Sequence, residues 1–559
     1  MTCSIPVGAV RPFGDRALLV GVEDPAAGRT LVASWAGALG GADVELVCGL
    51  ATVGVLVRDP DLTLDAVRAL LGAAPAVVSA EAGDATTGGG RLVTIPCAFD
   101  GPDLDEVAGS TGLPTDELVA LLTAEPLTVS AVGFSPGFAY LDGLPAALAA
   151  VPRRDRPRPA VPAGSVALAN GHAAVYPTAS PGGWQLVGRT GFPLFSLDGP
   201  PYAVLAPGDR VRFRVAAAGD AVDPAGLPAP SWAPPPGARA VLEVLAPGMR
   251  AVLQDAGRRG VAASGVPAAG AADPVSAALA NGLAGNAPGA AVLEVTGGGT
   301  RLRALGACHV AVVGAAPAVR VDGDGDGGSW SGRLLALEEG QVLEVGALAR
   351  GCRTYVAVAG GLLGPALFGS QSSDELCGLG PGPLRPGAIL WAGDWAPPLG
   401  DHLAPGTATE LPAAGPVALR VVPGPHAERF DRGVLDRIAA TPFIAGTESN
   451  RVGLRLRAEE AVDWGSGGGE LDSQAMVTGA VQLPPGGEPI VLGPDHATLG
   501  GYPVPVVVIA ADHGLLGQCG PGTAIRLVPV GFDEADAAFA ARRRLVDGAV
   551  EGHYPLAAG

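Results

Sequence analysis

Short apolar runs separated by glycine and proline turns recur along most of this chain. The opening RPFGDRALLV places a strand after a Gly-Asp turn, and Leu50–Val57 reads as a second strand. Thr63 stands where it can cap a helix through Leu71. Residues 1–88 therefore predict a small α/β unit, and the polar, glycine-rich run Glu81–Gly90 reads as a linker. RLVTIP, from Arg91, begins a second unit. Asp103 and Glu106 fit a capping box, and Thr115 is placed to cap the helix DELVALLTAE. After Thr128 short strands alternate with turns up to VLAPGDRVRFRV, a spacing that favours a barrel or sandwich over 91–215.

Residues 216–238 are proline-rich and predict a semi-rigid linker, the clearest boundary in the chain. The second half opens on the strand VLEVLAPG. Its strongest helix is PVSAALANGLAG, with Asp273 as N-cap, Pro274 in the first turn and Gly285 past the end. Strands then continue to about Trp395, giving a unit over 239–400, and resume from Val417 to Val528 in a unit over 410–530. A final amphipathic helix spans 533–546, in a segment ending at 548, with Arg542, Arg543 and Arg544 near its C-terminal end, where positive charge is favourable. The fold class expected is mainly β with α/β parts.

Composition narrows the function. A chain of 559 residues has room for three or four cores, and 48% hydrophobic against 16% charged residues excludes a disordered protein. No run approaches the roughly 20 apolar residues of a membrane span, and Arg11, Asp15 and Arg16 interrupt any secretion signal. The expectation is a cytoplasmic protein without a membrane partner. A net charge of −19 argues against nucleic acid. Seven dispersed cysteines with no Cys-x-x-Cys pair predict free thiols. All 36 basic residues are arginine. Without lysine the chain cannot carry covalently bound biotin, form a Schiff base or use a P-loop lysine. Anion chemistry must fall to arginine, backbone amides and carboxylates.

Several motifs bear on chemistry. Between Gly133 and Thr190 glycines and prolines accompany Arg153, Arg154, Arg156, Arg158 and Arg189, a positive cluster in an acidic chain that suits a small anion. Gly133-Phe-Ser135-Pro136-Gly137 matches a nucleophile elbow, but Pro136 has no N–H for an oxyanion hole and no helix pattern follows, so a ligand-lining or structural turn is expected. Asp322-Gly-Asp324-Gly-Asp326 imitates a calcium loop whose twelfth position is Arg333 instead of glutamate. Asp495-His496 and Asp512-His513 lack helical ligand spacing. Their carboxylates fall at strand or loop ends, where they suit either catalysis or the acceptance of turn N–H groups. Gln254-Asp255-x-Gly257-Arg258 pairs a carboxylate with a guanidinium in a tight turn; a salt-bridged turn and a functional pair both remain open. Asn281 and Asn286 bracket a helix end.

GFSPGFAYL, PRPAVPAGSVAL and YPTASPGGWQLVGRT resemble the family of the first allophanate hydrolase subunit, the B-type subunit of prokaryotic 5-oxoprolinase (Kip-inhibitor-like proteins). VLQDAGRRG, GAADPVSAALANGLAGN, FGSQSSDE, ESNRVGLRL and GAVQLPPGGEPIVLGPDHATLGGYPVPVVVIAAD resemble the family of the second, which is the C-type subunit of 5-oxoprolinase. The chain looks like a fusion of the two, and also resembles the carboxyltransferase part of urea carboxylase. The resemblance implies cyclophilin-like β-barrels, one in the first half after the α/β unit and two in the second. It implies ATP-dependent opening of 5-oxoproline to L-glutamate by phosphorylation of the lactam, with Mg²⁺ and a separate A-type, lactam-utilisation-like protein as partner. Asp255, Asp495 and Asp512 are then the catalytic or metal-holding candidates, with the metal ligands otherwise unknown. Substrate or nucleotide would meet Arg158, Ser165, Tyr176, Gly182, Gly183, Trp184 and Arg189 in the first half. In the second it would meet Gln254, Arg258, Asn281, Arg451, Gln482, Gly500, Gly501 and Tyr502. Two departures stand out: Leu122 occupies the place of a histidine usual in B-type relatives, and Gln371 and Ser373 alter a GSRST stretch usual in C-type relatives. Two alternatives accompany this reading: a carboxyltransferase acting on a urea-like amide with biotin supplied in trans, and a non-catalytic inhibitor of a sensor histidine kinase. Homo-oligomerisation is left open.

Overall fold

The computed structural model describes residues 8–73, 90–224, 236–315, 317–322, 332–348, 350–395, 411–412, 414–431 and 433–550. The Glu81–Gly90 linker apart from Gly90, much of the 216–238 linker and residues 323–331 of the calcium-loop imitation lie outside them.

Alternation along one strand explains how the halves meet. Strands Val10–Pro12, Ala17–Gly21, Thr52–Val57 and Val44–Cys48 form an antiparallel sheet in that order. Leu18 and Val20 point to helices Pro25–Ala38 and Leu64–Ala73, packing on Leu31, Trp35 and Val67. Ala17 and Leu19 point the other way, into a core shared with Tyr140 and Trp184 of the next unit and with Ala475, Leu499 and Val507 near the far end of the chain. Period-two alternation thus buries both faces of one small sheet. Gly54 is required there: a Cβ on it would collide with the Ala475 Cβ.

Leu92–Cys97 begins a seven-stranded sheet that curls until its edges meet, where Ala98 and Arg189 exchange hydrogen bonds of 2.9 and 2.8 Å. This nearly closed barrel encloses Ile95, Val129, Leu168 and Phe213. The G-x-S-x-G turn joins strands Leu127–Val132 and Ala139–Asp142, so it closes a hairpin instead of opening a helix, and Ser135 is fully buried.

In the second half a six-stranded and a five-stranded sheet enclose one core containing Val241, Leu293, Val310 and Val356. Helix Pro274–Leu283 covers the outer face of the five-stranded sheet, capped as expected by Asp273, which accepts from Ser276 N–H at 3.0 Å. Strands between Val417 and Pro529 form a closed seven-stranded barrel. The mainly β class with barrels in both halves stands.

Three local expectations need correction. Asp103 precedes helix Leu104–Thr111 but makes no capping bond; its carboxylate faces inward to two arginines instead. Thr115 is the first helical residue, preceded by Pro114, and caps nothing. The last helix runs Phe532–Val550, longer than expected, so Arg542–Arg544 lie mid-helix, with Arg543 paired to Asp61 and Asp547.

Candidate functional site

Two cavities flank the last barrel, one against the 255–274 segment and one against the α/β unit. The larger, about 190 Å³, is lined by Asp255, Gly270, Arg353, Asn450 and Arg451 among others. The smaller, about 110 Å³, lies between the α/β sheet and the last barrel, with Asp15, Arg16 and Arg58 in its wall. Thr478 and His513 line both. The smaller cavity is therefore walled by both halves of the chain, while the larger lies within the second.

A buried ionic network floors the larger one. Arg451, 2% exposed, grips Asp495 through Nε at 2.9 Å and Nη2 at 2.8 Å, and reaches Glu294 Oε1 at 2.6 Å and the Gly270 carbonyl at 2.6 Å. Glu294 also accepts from Ala272 N–H and from Tyr355 Oη, and lies 3.4 Å from Arg353 Nε. Burial pushes the Glu294 carboxyl up, but Arg451 and Arg353 outweigh it and hold it below its ordinary value. A bidentate guanidinium is the group that makes two buried carboxylates tolerable. Asp374 lies alongside, contacting Arg258 at 3.5 Å, and is pushed up by burial and by Asp495.

The smaller cavity has a different electrostatic character. Burial raises Asp15 to about 6 even though both its oxygens accept from Ala510 N–H at 3.1 Å. Burial lowers His513 in the cavity wall to about 4, and His496 near Arg58 likewise, so both rings are neutral at pH 7. Arg16 is held by the Leu62 and Asp59 carbonyls and lies over the Phe539 ring.

Of the residues expected from sequence, Asp255 and Arg451 line the larger cavity, with Asp495 directly behind Arg451. Asp255 spends its oxygens on Ser370 Oγ, Ser372 Oγ and the N–H groups of Gly257 and Gln371. Asp512 takes three bonds from Arg420. Arg258 is buried against the Ser372 and Pro267 carbonyls, and Gln254 donates to the Ser373 carbonyl at 2.7 Å. Asn281 ties the Pro288 and Ala290 carbonyls.

In the first half Arg158 and Arg154 converge on the buried Asp103 at 2.6 and 2.8 Å, and Arg189 pairs with Asp100 and Asp223. Ser165 bonds its own turn at Pro162. Tyr176 and Trp184 join an edge-to-face aromatic cluster around Phe138. Gly182 lies where a Cβ would strike Tyr176 Oη, and Gly183 accepts from Arg154 N–H. Gln482 contacts Met476 Sδ at 3.4 Å beside Gly500, while Gly501 and the half-buried Tyr502 follow in the same loop. Sequence reading missed Asp15, Arg58, Glu294, Arg353 and Thr478. RPFGD carried one of them, but only as part of a predicted turn and strand.

Asp255, Asp495 and Asp512 already give their oxygens to donors of this chain, so they do not fit a metal ion. Among the described residues no group of three or more His, Cys, Asp or Glu gathers as ligands. A cavity near 190 Å³ is also below the roughly 300–1,000 Å³ of drug-sized pockets, too small to enclose a nucleotide. Among the described residues no helix is long and apolar enough to cross a membrane.

A family model for the carboxyltransferase domain, subdomains C and D, matches residues 9–205, and one for its subdomains A and B matches 264–529. Over 304 residues the chain is 34% identical to the C-type 5-oxoprolinase subunit of Escherichia coli K12, covering 53% of this chain and 93% of that one. Over 174 residues it is 40% identical to the B-type 5-oxoprolinase subunit of Escherichia coli O157:H7, covering 30% and 77%. The crystal structure of TTHA0988 superposes with a TM-score of 0.79 at 31% identity, over 92% of this chain and all of that one. Fold and matches together define a carboxyltransferase-domain protein. Within that class the chain belongs to the family of the B-type and C-type 5-oxoprolinase subunits, with counterparts of both joined in one polypeptide.

Proposed function

We propose that this chain is the B–C component of an ATP-dependent 5-oxoprolinase, opening 5-oxoproline to L-glutamate with a separate A-type partner protein. The observation that carries the reading is that both halves have relatives named 5-oxoprolinase subunits and jointly wall the smaller cavity, beside a larger one in the second half. Cavities of about 190 and 110 Å³ suit a lactam of a few heavy atoms. ATP is then handled largely by the A-type partner, where phosphorylation of the lactam oxygen would be assisted. This chain's own contribution is to bind and orient the lactam, to exclude water, and to hold the surrounding loops on the Arg451 network. The chain is expected to work in the cytoplasm.

The test is 5-oxoproline-dependent ADP release by the chain with and without a candidate A-type partner. Release that requires the chain, the partner and 5-oxoproline together supports the reading; none under any combination refutes it. The description of the matched domains as a carboxyltransferase favours one second reading, transfer to a urea-like amide from biotin carried in trans. Avidin-sensitive carboxyl transfer with no response to 5-oxoproline would select it.

A further inference from the structure

Arg58 follows the strand Thr52–Val57 and enters the wall of the smaller cavity. Its Nε donates to Glu45 Oε1 at 3.3 Å and its backbone N–H to the Asp43 carbonyl at 2.8 Å. Its two terminal nitrogens make no hydrogen bond among the described residues, and its side chain is 33% exposed. The other guanidiniums of the site are already spent: Arg16 on backbone carbonyls, Arg353 on Gly517 and Glu294, Arg451 on Asp495 and Glu294.

Beyond the Glu45 pair at Nε, no carboxylate bonds Arg58 among the described residues. His496 and His513 both feel its charge and are both neutral at pH 7, because burial holds them near 4. Asp15 keeps both oxygens on Ala510 N–H, and Glu45 also accepts from Ala262 N–H, across the junction. The rest of the wall is mainly apolar, with Phe13, Leu56 and Met476. A volume of about 110 Å³ is well above the ~10–15 Å³ that one water needs. A guanidinium with two terminal nitrogens free presents the fork that a carboxylate matches with two parallel bonds.

We infer that Arg58 anchors the carboxylate of the small amide bound at this junction, with the amide directed towards Thr478 and His513, the residues common to both cavities. The inference rests on the proposed function and gives the substrate its orientation. It also explains why the two halves act together: the B-like half supplies the charge, and the C-like half supplies the wall against which the amide lies. A lactam lacking the carboxylate would gain nothing from Arg58.

The test compares 5-oxoproline with 2-pyrrolidinone, the same ring without the carboxylate, binding to the intact chain by calorimetry. KM and kcat are measured in the complex with the A-type partner. Arg58→Gln is expected to raise Kd and KM for 5-oxoproline by roughly 10–100-fold, the scale of a lost charge-assisted bond, with kcat little changed and 2-pyrrolidinone unaffected. Glu45→Gln, which breaks the same ion pair but keeps the arginine, is expected to leave 5-oxoproline affinity intact or improved. Unchanged 5-oxoproline affinity in Arg58→Gln, an equal loss for both lactams, or a loss in Glu45→Gln matching that of Arg58→Gln overturns the assignment while leaving the oxoprolinase reading standing. Wild-type protein that neither binds nor turns over 5-oxoproline overturns both.

Discussion

Removing the Arg451 guanidinium is the sharpest perturbation of the site that structure alone can quantify. Arg451→Met keeps much of the aliphatic volume and deletes the four bonds to Asp495, Glu294 and the Gly270 carbonyl. Asp495 and Glu294 are both 0% exposed, so they cannot recover those bonds from water. Stripping one partner from a buried pair costs about 3–5 kcal/mol, and here two carboxylates lose the same cation. Arg353 remains near Glu294 and Glu375 N–H still donates to Asp495, so the loss belongs within that range instead of doubling it. The sign with pH follows from Glu294. Its folded value is depressed, so its stabilising contribution is present above the ordinary glutamate range and is lost as pH falls through the folded value. Without Arg451, burial dominates and the carboxyl is raised, so ionisation becomes a penalty at neutral pH that disappears in acid. Urea unfolding of wild type and variant at pH 7.5 and pH 5 should show a deficit of about 3–5 kcal/mol that shrinks at the lower pH. A deficit under about 1 kcal/mol, or one that grows in acid, would refute the reasoning, since that is the range of an exposed pair.

Asp15 carries the opposite sign. Its folded value of about 6 means the carboxyl prefers its proton in the folded protein, so stability falls as pH rises from about 4 to about 6 and is level above. Asp15→Asn can still accept from Ala510 N–H and should match or exceed wild-type stability at pH 8, with the difference vanishing near pH 4 in thermal scans. Gly54→Ala should drive a methyl into Ala475 and weaken the junction between the α/β sheet and the last barrel by about 1–3 kcal/mol, seen as earlier proteolysis of the first half. Asp103→Ala should release Arg154, Arg158 and the Leu186 N–H together and lower the melting temperature of the first barrel, whereas Arg189→Ala, on an exposed pair, should scarcely move it.

The architecture was legible because barrels announce themselves by short strands and turns. The helix at Pro274 was equally legible, because Asp273, Pro274 and Gly285 carry local signals. The site was not. Arg158 and Arg189 look in sequence like free cations, but Asp103 and Asp100, more than 50 residues earlier, neutralise them. Asp512 looks like a strand-end acid, yet Arg420 from another strand holds it. Such pairings join distant positions that no period or spacing reveals. Arg58 escaped notice for the converse reason: it follows an apolar strand, where a polar residue reads as solvent-facing, and only the packing of the last barrel turns that edge into a cavity wall.

The account stands or falls on whether the joined halves make one lactam site. The decisive measurement is 5-oxoproline-dependent ADP release, with the A-type partner present, by the intact chain, by each half expressed separately, and by the two halves remixed. Turnover by the intact chain and by the remixed halves, with none from either half alone, is the predicted result; full turnover from a single half would contradict it.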